Sequence, residues 1–176
     1  MMKLKLFRCR ICGDPYLGSD PPSYCPFCGA PQKYMQPAEE YVDRNEVPNL
    51  SERSRANLEK ALDLEVRNAA FYRCASDCAP DPLSKAMFKA LWRTEAEHAS
   101  LICKILKVPK PEIKPDNQAC LKDPKANFAA AHGREERAVA FYAQSAQEAG
   151  EDRVKEVFTA LTEVETYHIA LSEAHK

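Results

Sequence analysis

Two copies of one pattern of glutamate and histidine residues lie in the second part of the chain, and these residue types suit metal binding. The copies align without a gap after a shift of 70 positions, and they comprise Glu65, Glu95 and His98, then Glu135, Glu165 and His168. A Glu followed by Glu-x-x-His, repeated in two helix pairs, can assemble a two-metal carboxylate site inside a four-helix bundle. We therefore expect redox chemistry at a metal pair.

The Glu-x-x-His spacing fits an α-helix. Residues three apart lie one turn apart on the same helix face, so Glu95 and His98 can present an oxygen and a nitrogen to one point. Four ionised carboxylates in a core are strongly unfavourable unless their charge is compensated, and two divalent cations would offset it. A single Glu-x-x-His is usually a coincidence of common surface residues, whereas two copies in register favour a metal site.

Two tyrosines repeat with the same offset. Tyr72 and Tyr142 come seven residues after Glu65 and Glu135, which is two turns along the same helix face. We expect each phenol to donate a hydrogen bond to a ligand carboxylate and to fix its orientation, which adds both tyrosines to the candidate catalytic residues. The alternative is that they are ordinary core tyrosines.

Helical periodicity, capping residues and prolines predict the elements that must position these side chains. The four predicted helices span residues 51–79, 83–107, 124–149 and 151–174. Ser51 is the expected N-cap of the first helix, Pro80 follows that helix, and Gly150 is the expected stop of the third. The proline- and lysine-rich residues 108–124 are typical of the crossover in a ferritin-like bundle. The predicted fold class is mainly α.

The first 36 residues carry a second candidate metal site. Two Cys-x-x-Cys-Gly motifs supply four thiols, from Cys9, Cys12, Cys25 and Cys28. Each motif predicts a knuckle in which the glycine permits positive φ, and the four thiolates can hold one metal ion. Zinc and iron both fit this arrangement. The neighbouring candidate metal pair favours iron, which would let this module carry electrons.

The chain divides into three predicted parts. A metal-knuckle module spans residues 1–36, a linker spans 37–50 and the helical bundle spans 51–176. The linker could position the module on its own bundle or on that of a neighbouring chain. Three of the remaining cysteines, Cys74, Cys78 and Cys103, are interpreted as small buried hydrophobic residues, with a third metal site or a redox pair as the alternative, and Cys120 is assigned no role.

Composition excludes several functional classes. The chain has 176 residues, 45% of them hydrophobic and 29% charged, with a formal net charge of −1. This balance argues against nucleic-acid binding, and no apolar stretch is long enough to cross a bilayer. Residues 1–9 contain basic residues without a continuous apolar segment, so we expect no signal peptide and a cytoplasmic location.

The knuckle pair and the doubled Glu/Glu-x-x-His set together resemble the rubrerythrin family, which combines a rubredoxin-like iron site with a ferritin-like diiron domain. The cysteine module comes first here, and that order is similar to the reverse rubrerythrins. The resemblance spans nearly the whole chain. It implies a non-haem diiron site that reduces hydrogen peroxide in oxidative stress defence, with electrons arriving through one iron in the four-cysteine site.

The resemblance also implies partners. A separate reductase drawing on NAD(P)H would supply electrons, because the chain has no glycine-rich dinucleotide-binding motif. A homodimer with electron exchange between its subunits is expected for such a family member.

Two departures from the family pattern leave alternatives open. Rubrerythrins in the usual order carry a further glutamate three residues after the third-helix ligand, where this chain has Ala138, and they have one more residue between the last Glu and His than Glu165 and His168 allow. The remaining six-residue set is symmetric. The alternatives are therefore a dioxygen-reducing oxidase, or an iron-binding or ferroxidase-type protein with a structural zinc knuckle.

Overall fold

The computed structural model describes residues 3–176, so Met1 and Met2, which begin the segment inspected for a signal peptide, lie outside the described residues. The N-terminal module contains three short strands in antiparallel order β2-β1-β3. These are β1 Lys5–Cys9, β2 Pro15–Gly18 and β3 Met35–Pro37, with 3-10 turns at Gln32–Tyr34 and Ala38–Glu40.

Four long helices follow the module, and they confirm the mainly α fold class with a ferritin-like bundle and a small rubredoxin-like N-terminal unit. They are α1 Glu52–Cys78, α2 Pro82–Leu106, α3 Pro124–Glu148 and α4 Asp152–His175. Side chains of Ser51, Asp81 and Asp123 accept hydrogen bonds from backbone N–H groups at the starts of α1, α2 and α3. The boundaries of the three predicted parts stay a prediction.

The helix ends follow local chemistry, with one exception to the prediction. Ala79 is extended because it precedes Pro80, and α2 ends at Lys107 in the left-handed conformation. Gly150 was expected to stop α3, but α3 ends one residue earlier at the extended Ala149. The left-handed glycines among residues 3–176 are Gly13 and Gly29. The extended residue Ala149 therefore ends α3 without a left-handed glycine.

The duplication in the sequence is also a duplication of packing. Tyr72 stacks on Phe88 with ring centroids 6.3 Å apart, and Tyr142 stacks on Phe158 at 5.8 Å. All four rings are fully buried. Each helix pair thus brings the same aromatic unit to the core, and these units fix the helices around the space between them.

The module packs on the bundle of its own chain. The buried Arg153 of α4 donates hydrogen bonds to the Ile11 carbonyl at 2.7 Å and to Asn45 Oδ1 at 2.8 Å. Lys104 of α2 donates to the Cys12 carbonyl at 3.0 Å. These charge-assisted bonds hold the first knuckle against α2 and α4, so the linker connects a module and a bundle that are already in contact.

The crossover between α2 and α3 has little regular structure and is tied to α1. The backbone N–H of Asp116 donates to the Ala70 carbonyl, and Arg73 donates to the Ile113 carbonyl. Cys74 and Cys120 form a disulfide. The interpretation of Cys74 and Cys78 as small buried hydrophobic residues was therefore wrong, because Cys74 is bonded to the crossover and Cys78 is exposed. Among the helices of residues 3–176, none has the length and apolarity required to cross a membrane.

Candidate metal centre

The six repeated Glu and His side chains meet in the centre of the bundle. One candidate ligand group consists of Glu65, Glu95, His98 and Glu165, and the second of Glu95, Glu135, Glu165 and His168. Within each group the possible ligand atoms lie within 4.8 Å of one another. The four glutamates and His98 are fully buried, and the His168 side chain is 11% exposed. The predicted convergence of six side chains is thus present, and their role as ligands stays a prediction.

Both histidines present Nδ1 to the carboxylates. Nδ1 of His98 lies 3.4 Å from Glu65, 3.2 Å from Glu95 and 3.3 Å from Glu165. Nδ1 of His168 lies 3.1 Å from Glu95 and 2.8 Å from Glu165. Glu95 and Glu165 therefore lie between the two imidazoles, whereas Glu65 and Glu135 each belong to one side.

Burial and neighbouring charge divide the four carboxyl groups into two kinds. Burial raises the pKa of Glu65 and of Glu135 well above the usual range. Burial opposes ionisation of Glu95 and Glu165 as well, but hydrogen bonds and charge from His168 and His98 lower the pKa of both. The carboxylates in turn raise the pKa of both histidines against the effect of burial. Without metal, protons must supply the missing positive charge.

The polar atoms of the cluster fit a pair of cations. One oxygen of Glu65 and one of Glu135 have no hydrogen-bond partner within residues 3–176, and one oxygen each of Glu95 and Glu165 faces only an imidazole Nδ1 that a second carboxylate shares. A buried carboxylate oxygen without a partner is costly, and a metal ion removes that cost. Four carboxylates and two neutral imidazoles balance two divalent ions, and this mixed oxygen and nitrogen donor set suits iron or manganese.

The two tyrosines contact the cluster crosswise. The Tyr72 hydroxyl of α1 donates to Glu135 of α3, and the Tyr142 hydroxyl of α3 donates to Glu65 of α1. Burial raises the pKa of both phenols, so each keeps its proton and remains a donor. Each hydrogen bond fixes one carboxyl oxygen, and the second oxygen has no hydrogen-bond partner among the described residues.

The four cysteines of the module form a compact second cluster. The Sγ atoms of Cys9, Cys12, Cys25 and Cys28 all lie within 4.8 Å of one another, and all four residues are buried. The Asp14 N–H points at Cys12 Sγ at 3.4 Å. Gly13 and Gly29 have φ of 89° and 72°, as the knuckle motif predicts. Hydrogen bonds with Cys12 lower the pKa of the Cys9 and Cys25 thiols, whereas hydrogen bonds within the same cluster raise the pKa of Cys12 and Cys28, so without metal two of the four thiols keep their protons.

A hydrogen bond joins the two clusters. Nε2 of His98 lies 2.9 Å from the carbonyl oxygen of Cys28, so the imidazole N–H donates to that carbonyl while Nδ1 faces the glutamates. Gly29 permits this approach, because a Cβ at that position would come within 2.9 Å of a Val164 methyl group. The motifs did not predict this contact. Cys28 reaches α2 through the path of the twelve residues between the knuckles and through the docking of the module, and the motifs describe neither of these.

The side chain at position 138 is enclosed by packed apolar residues. Ala138 is fully buried in the cluster of apolar residues that includes Tyr142 and Phe158. The side chain that replaces the family's additional glutamate is therefore a methyl group within the core, and the six-residue set has no seventh carboxylate at that position.

Comparisons with known proteins agree with this architecture. The family model described as Rubrerythrin matches residues 56–176, and the model described as the rubredoxin-like domain of rubrerythrin matches residues 7–36. Reverse rubrerythrin-1 of Clostridium acetobutylicum is 26% identical over 119 residues, which cover 58% of this chain and 62% of that relative. No solved structure matches significantly. The chain has a rubredoxin-like four-cysteine site and a carboxylate–histidine cluster that fits a diiron centre.

Proposed function

Because this chain belongs to the rubrerythrin family, we propose that it is a non-haem diiron peroxide reductase that receives electrons through its four-cysteine site. The observation that carries the proposal is the double contact of His98. Its Nδ1 faces three glutamates of the buried cluster, and its Nε2 is hydrogen-bonded to the carbonyl of Cys28. A storage site for iron has no need of such a connection, whereas an enzyme that must be re-reduced after each turnover does.

Each candidate metal position has its own residues. Glu65 and His98 would hold one ion of the pair, Glu135 and His168 the other, and Glu95 and Glu165 contact both sides. An iron pair held there would supply the two electrons that, with two protons, the reduction of hydrogen peroxide to two molecules of water requires. The protein residues control where charge and protons reside during that reaction.

The route between the clusters stays within one chain. From Cys28 Sγ it follows covalent bonds to the Cys28 carbonyl, crosses a hydrogen bond of 2.9 Å and enters the His98 imidazole. Exchange of electrons between the subunits of a homodimer, which the family resemblance implied, is therefore not required for this connection. A homodimer remains part of the proposal.

The burial of the candidate metal centre determines where its protons lie and which of its sides is near solvent. The Tyr72 and Tyr142 phenols hold their protons beside Glu135 and Glu65 and keep those carboxylates oriented. His168 is the partly exposed member of the set, so its side of the cluster is nearer to solvent. We infer that peroxide and protons enter on the His168 side, and that electrons enter on the His98 side.

The electron donor is a separate protein. The chain contains five glycines and no glycine-rich dinucleotide motif, so we propose an external reductase that draws on NAD(P)H. We also propose a cytoplasmic location, where the four module thiols would stay reduced and the Cys74–Cys120 disulfide would be open to reduction.

Dioxygen reduction is the second candidate, and one observation favours it. Buried Ala138 stands where a seventh carboxylate would otherwise extend the ligand set, and that leaves the symmetric arrangement of six residues. Dioxygen and peroxide would use the same residues, so rates decide between these acceptors.

The test measures the metals and then the acceptor. Purified protein is analysed for iron and zinc, reduced without air, and mixed with equimolar hydrogen peroxide or with air-saturated buffer while the ferric tetrathiolate absorbance is recorded. Iron in the cysteine site and faster re-oxidation by peroxide are expected. A colourless, zinc-filled cysteine site contradicts electron entry through the module, and faster re-oxidation by air identifies an oxidase. Cys9→Ser removes a module thiol and changes no residue of the bundle, so it serves as the control for electron entry through the module.

A further inference from the structure

Three cysteines outside both metal clusters lie together at the end of α1. Cys74 is buried and is bonded to Cys120 of the crossover, while Cys78, one turn after Cys74 on α1, has a free and exposed thiol. The three Sγ atoms lie within 4.8 Å of one another. A disulfide and a free thiol this close have the arrangement that intramolecular exchange requires.

The difference in exposure assigns roles to the three sulfurs. A thiolate from another molecule has poor access to Cys74, because that side chain is fully buried, whereas Cys120 is partly buried. The Cys78 thiol is exposed and lies on the same helix face, so it reaches both the solvent and the disulfide. Access governs the rate of thiol–disulfide exchange.

We propose that Cys78, Cys74 and Cys120 form a thiol–disulfide exchange site that accepts two electrons from an external dithiol, with Cys78 as the entry thiol. The site is independent of the proposed peroxide chemistry. It uses neither of the metal clusters, and its oxidised form is the one the structure describes.

The exchange is balanced at every step. The Cys78 thiolate attacks Cys120 Sγ, the Cys74–Cys120 bond breaks, and Cys74 leaves as a thiolate that takes up a proton. One thiolate of the dithiol then attacks Cys78 Sγ of the new, exposed disulfide, which frees the Cys120 thiol. The second thiol of the dithiol resolves this mixed disulfide. The protein gains two electrons and two protons, and the dithiol becomes a disulfide.

Reduction would remove the covalent tie between the crossover and α1. Besides the disulfide, two hydrogen bonds tie the crossover to the same stretch of helix, from Asp116 to Ala70 and from Arg73 to Ile113. Cys120 also packs against the cluster that contains Tyr72. The bond therefore closes a loop of 46 residues over the helix that carries a tyrosine of the candidate metal centre.

A soft-metal site is the competing explanation for three clustered thiols. It requires three thiolates, whereas two of the sulfurs are joined to each other in the structure. The experiment separates the two explanations through the role of Cys78.

The test follows reduction of the Cys74–Cys120 bond in the full chain with dithiothreitol, by alkylating samples over time and mapping the cysteine-containing peptides by mass spectrometry. Cys78→Ser is expected to slow reduction about tenfold or more, because the intramolecular first attack is lost. Cys103→Ser makes the same chemical change at a buried thiol that bonds to the Pro109 carbonyl, and it should leave the rate unchanged.

A second variant checks the intermediate. In Cys74→Ser, oxidised glutathione is expected to generate a Cys78–Cys120 disulfide, since these two sulfurs are then the neighbouring thiols. An unchanged reduction rate in Cys78→Ser overturns the proposal, and so does failure to form Cys78–Cys120. Protection of all three reduced thiols by added zinc(II), together with an unchanged rate in Cys78→Ser, would identify a soft-metal site instead.

Discussion

The two helix pairs of the bundle contain the same residues but have different neighbours. The first hairpin, α1 and α2, and the second hairpin, α3 and α4, each supply one Glu, one Glu-x-x-His pair and one stacked tyrosine–phenylalanine unit. The module covers His98 of the first hairpin and bonds to its Nε2. His168 of the second hairpin is partly exposed, and within residues 3–176 its Nε2 has no corresponding bond.

The duplication therefore accounts for the two candidate metal positions, and contact with the module accounts for the difference between them. Arg153 of α4, which ties Ile11 to the bundle, aligns with Leu83 of α2, which is exposed. At these aligned positions the second hairpin has an arginine that holds the module, and the first hairpin has a leucine. The comparison predicts that changes to residues shared by both hairpins affect both sides equally, while changes at the module affect electron entry alone.

Glu95→Ala should have the largest effect, because Glu95 contacts the histidines of both hairpins. We expect the iron affinity of the bundle to fall by more than about 100-fold. Removing a residue that hydrogen-bonds to a ligand lowers metal affinity about 10- to 100-fold, and removing the ligand itself should lower it further. Metal analysis after dialysis measures it. Glu136→Ala, an exposed neighbour of Glu135, should retain full iron. If Glu95→Ala retained two bundle irons, the shared position of Glu95 would be wrong.

Tyr72→Phe and Tyr142→Phe test whether the two hairpins contribute equally to iron affinity. Each change removes one hydroxyl donor from a candidate ligand carboxylate, and the expected loss of iron affinity is about 10- to 100-fold in both variants. Competition with a chelator measures the affinities. A large effect in one variant and none in the other would show that the two metal positions already differ within the bundle.

Gly29→Ala should separate the module from the metal centre. The left-handed φ of 72° and the contact with Val164 both oppose a Cβ, so we expect the Cys28 carbonyl to move from His98. Electron transfer from the tetrathiolate to the bundle should slow about tenfold while iron content stays constant. Stopped-flow absorbance measures the rate. Gly133→Ala lies inside α3, where a Cβ would make an ordinary contact of 3.6 Å with the Arg137 side chain, and it should leave the rate unchanged.

The smallest effect is the pH dependence of the metal-free protein. The pKa values of Glu65, Glu135, His98 and His168 are raised on folding, so their contribution to stability is full below their unfolded values and is lost as pH rises. Metal-stripped protein should therefore melt at lower temperature as pH increases from about 5 to 8.

Two variants and the loaded protein extend the pH measurement. Glu65→Gln and Glu135→Gln should each reduce the slope of melting temperature against pH by a similar amount, because the two carboxyl groups occupy equivalent positions. Iron-loaded protein should show the opposite trend at acid pH, where protons compete with metal for the same atoms. A metal-free protein that gains stability with rising pH would contradict the pKa directions of the cluster.

Local patterns predicted the parts of the molecule whose causes are local. The four helices begin and end within one residue of the predicted bounds, because caps and prolines determine them. The six Glu and His residues converge because helical periodicity fixes the face on which each one lies. Gly150 is the exception, since an extended Ala149 ends α3 without a left-handed glycine.

Contacts between distant segments were not predictable in the same way. No pattern pairs Arg153 with Ile11 or His98 with Cys28, because each contact depends on how two folded units dock. The spacing of Cys74 and Cys78 suggested a pair on one helix, whereas the bond joins Cys74 to Cys120 across 46 residues. Connectivity of cysteines follows from the path of the crossover, which sequence periodicity does not describe.

The crosswise tyrosine contacts have a consequence for how such a protein can arise. Tyr72 of the first hairpin serves Glu135 of the second, and Tyr142 of the second serves Glu65 of the first. Reciprocal contacts of this kind are the mark of a two-fold symmetric interface. A single ancestral hairpin would thus have contained every group needed to enclose two ions by pairing with its own twin, and gene fusion would have preserved that enclosure while freeing one copy to acquire a partner for electrons.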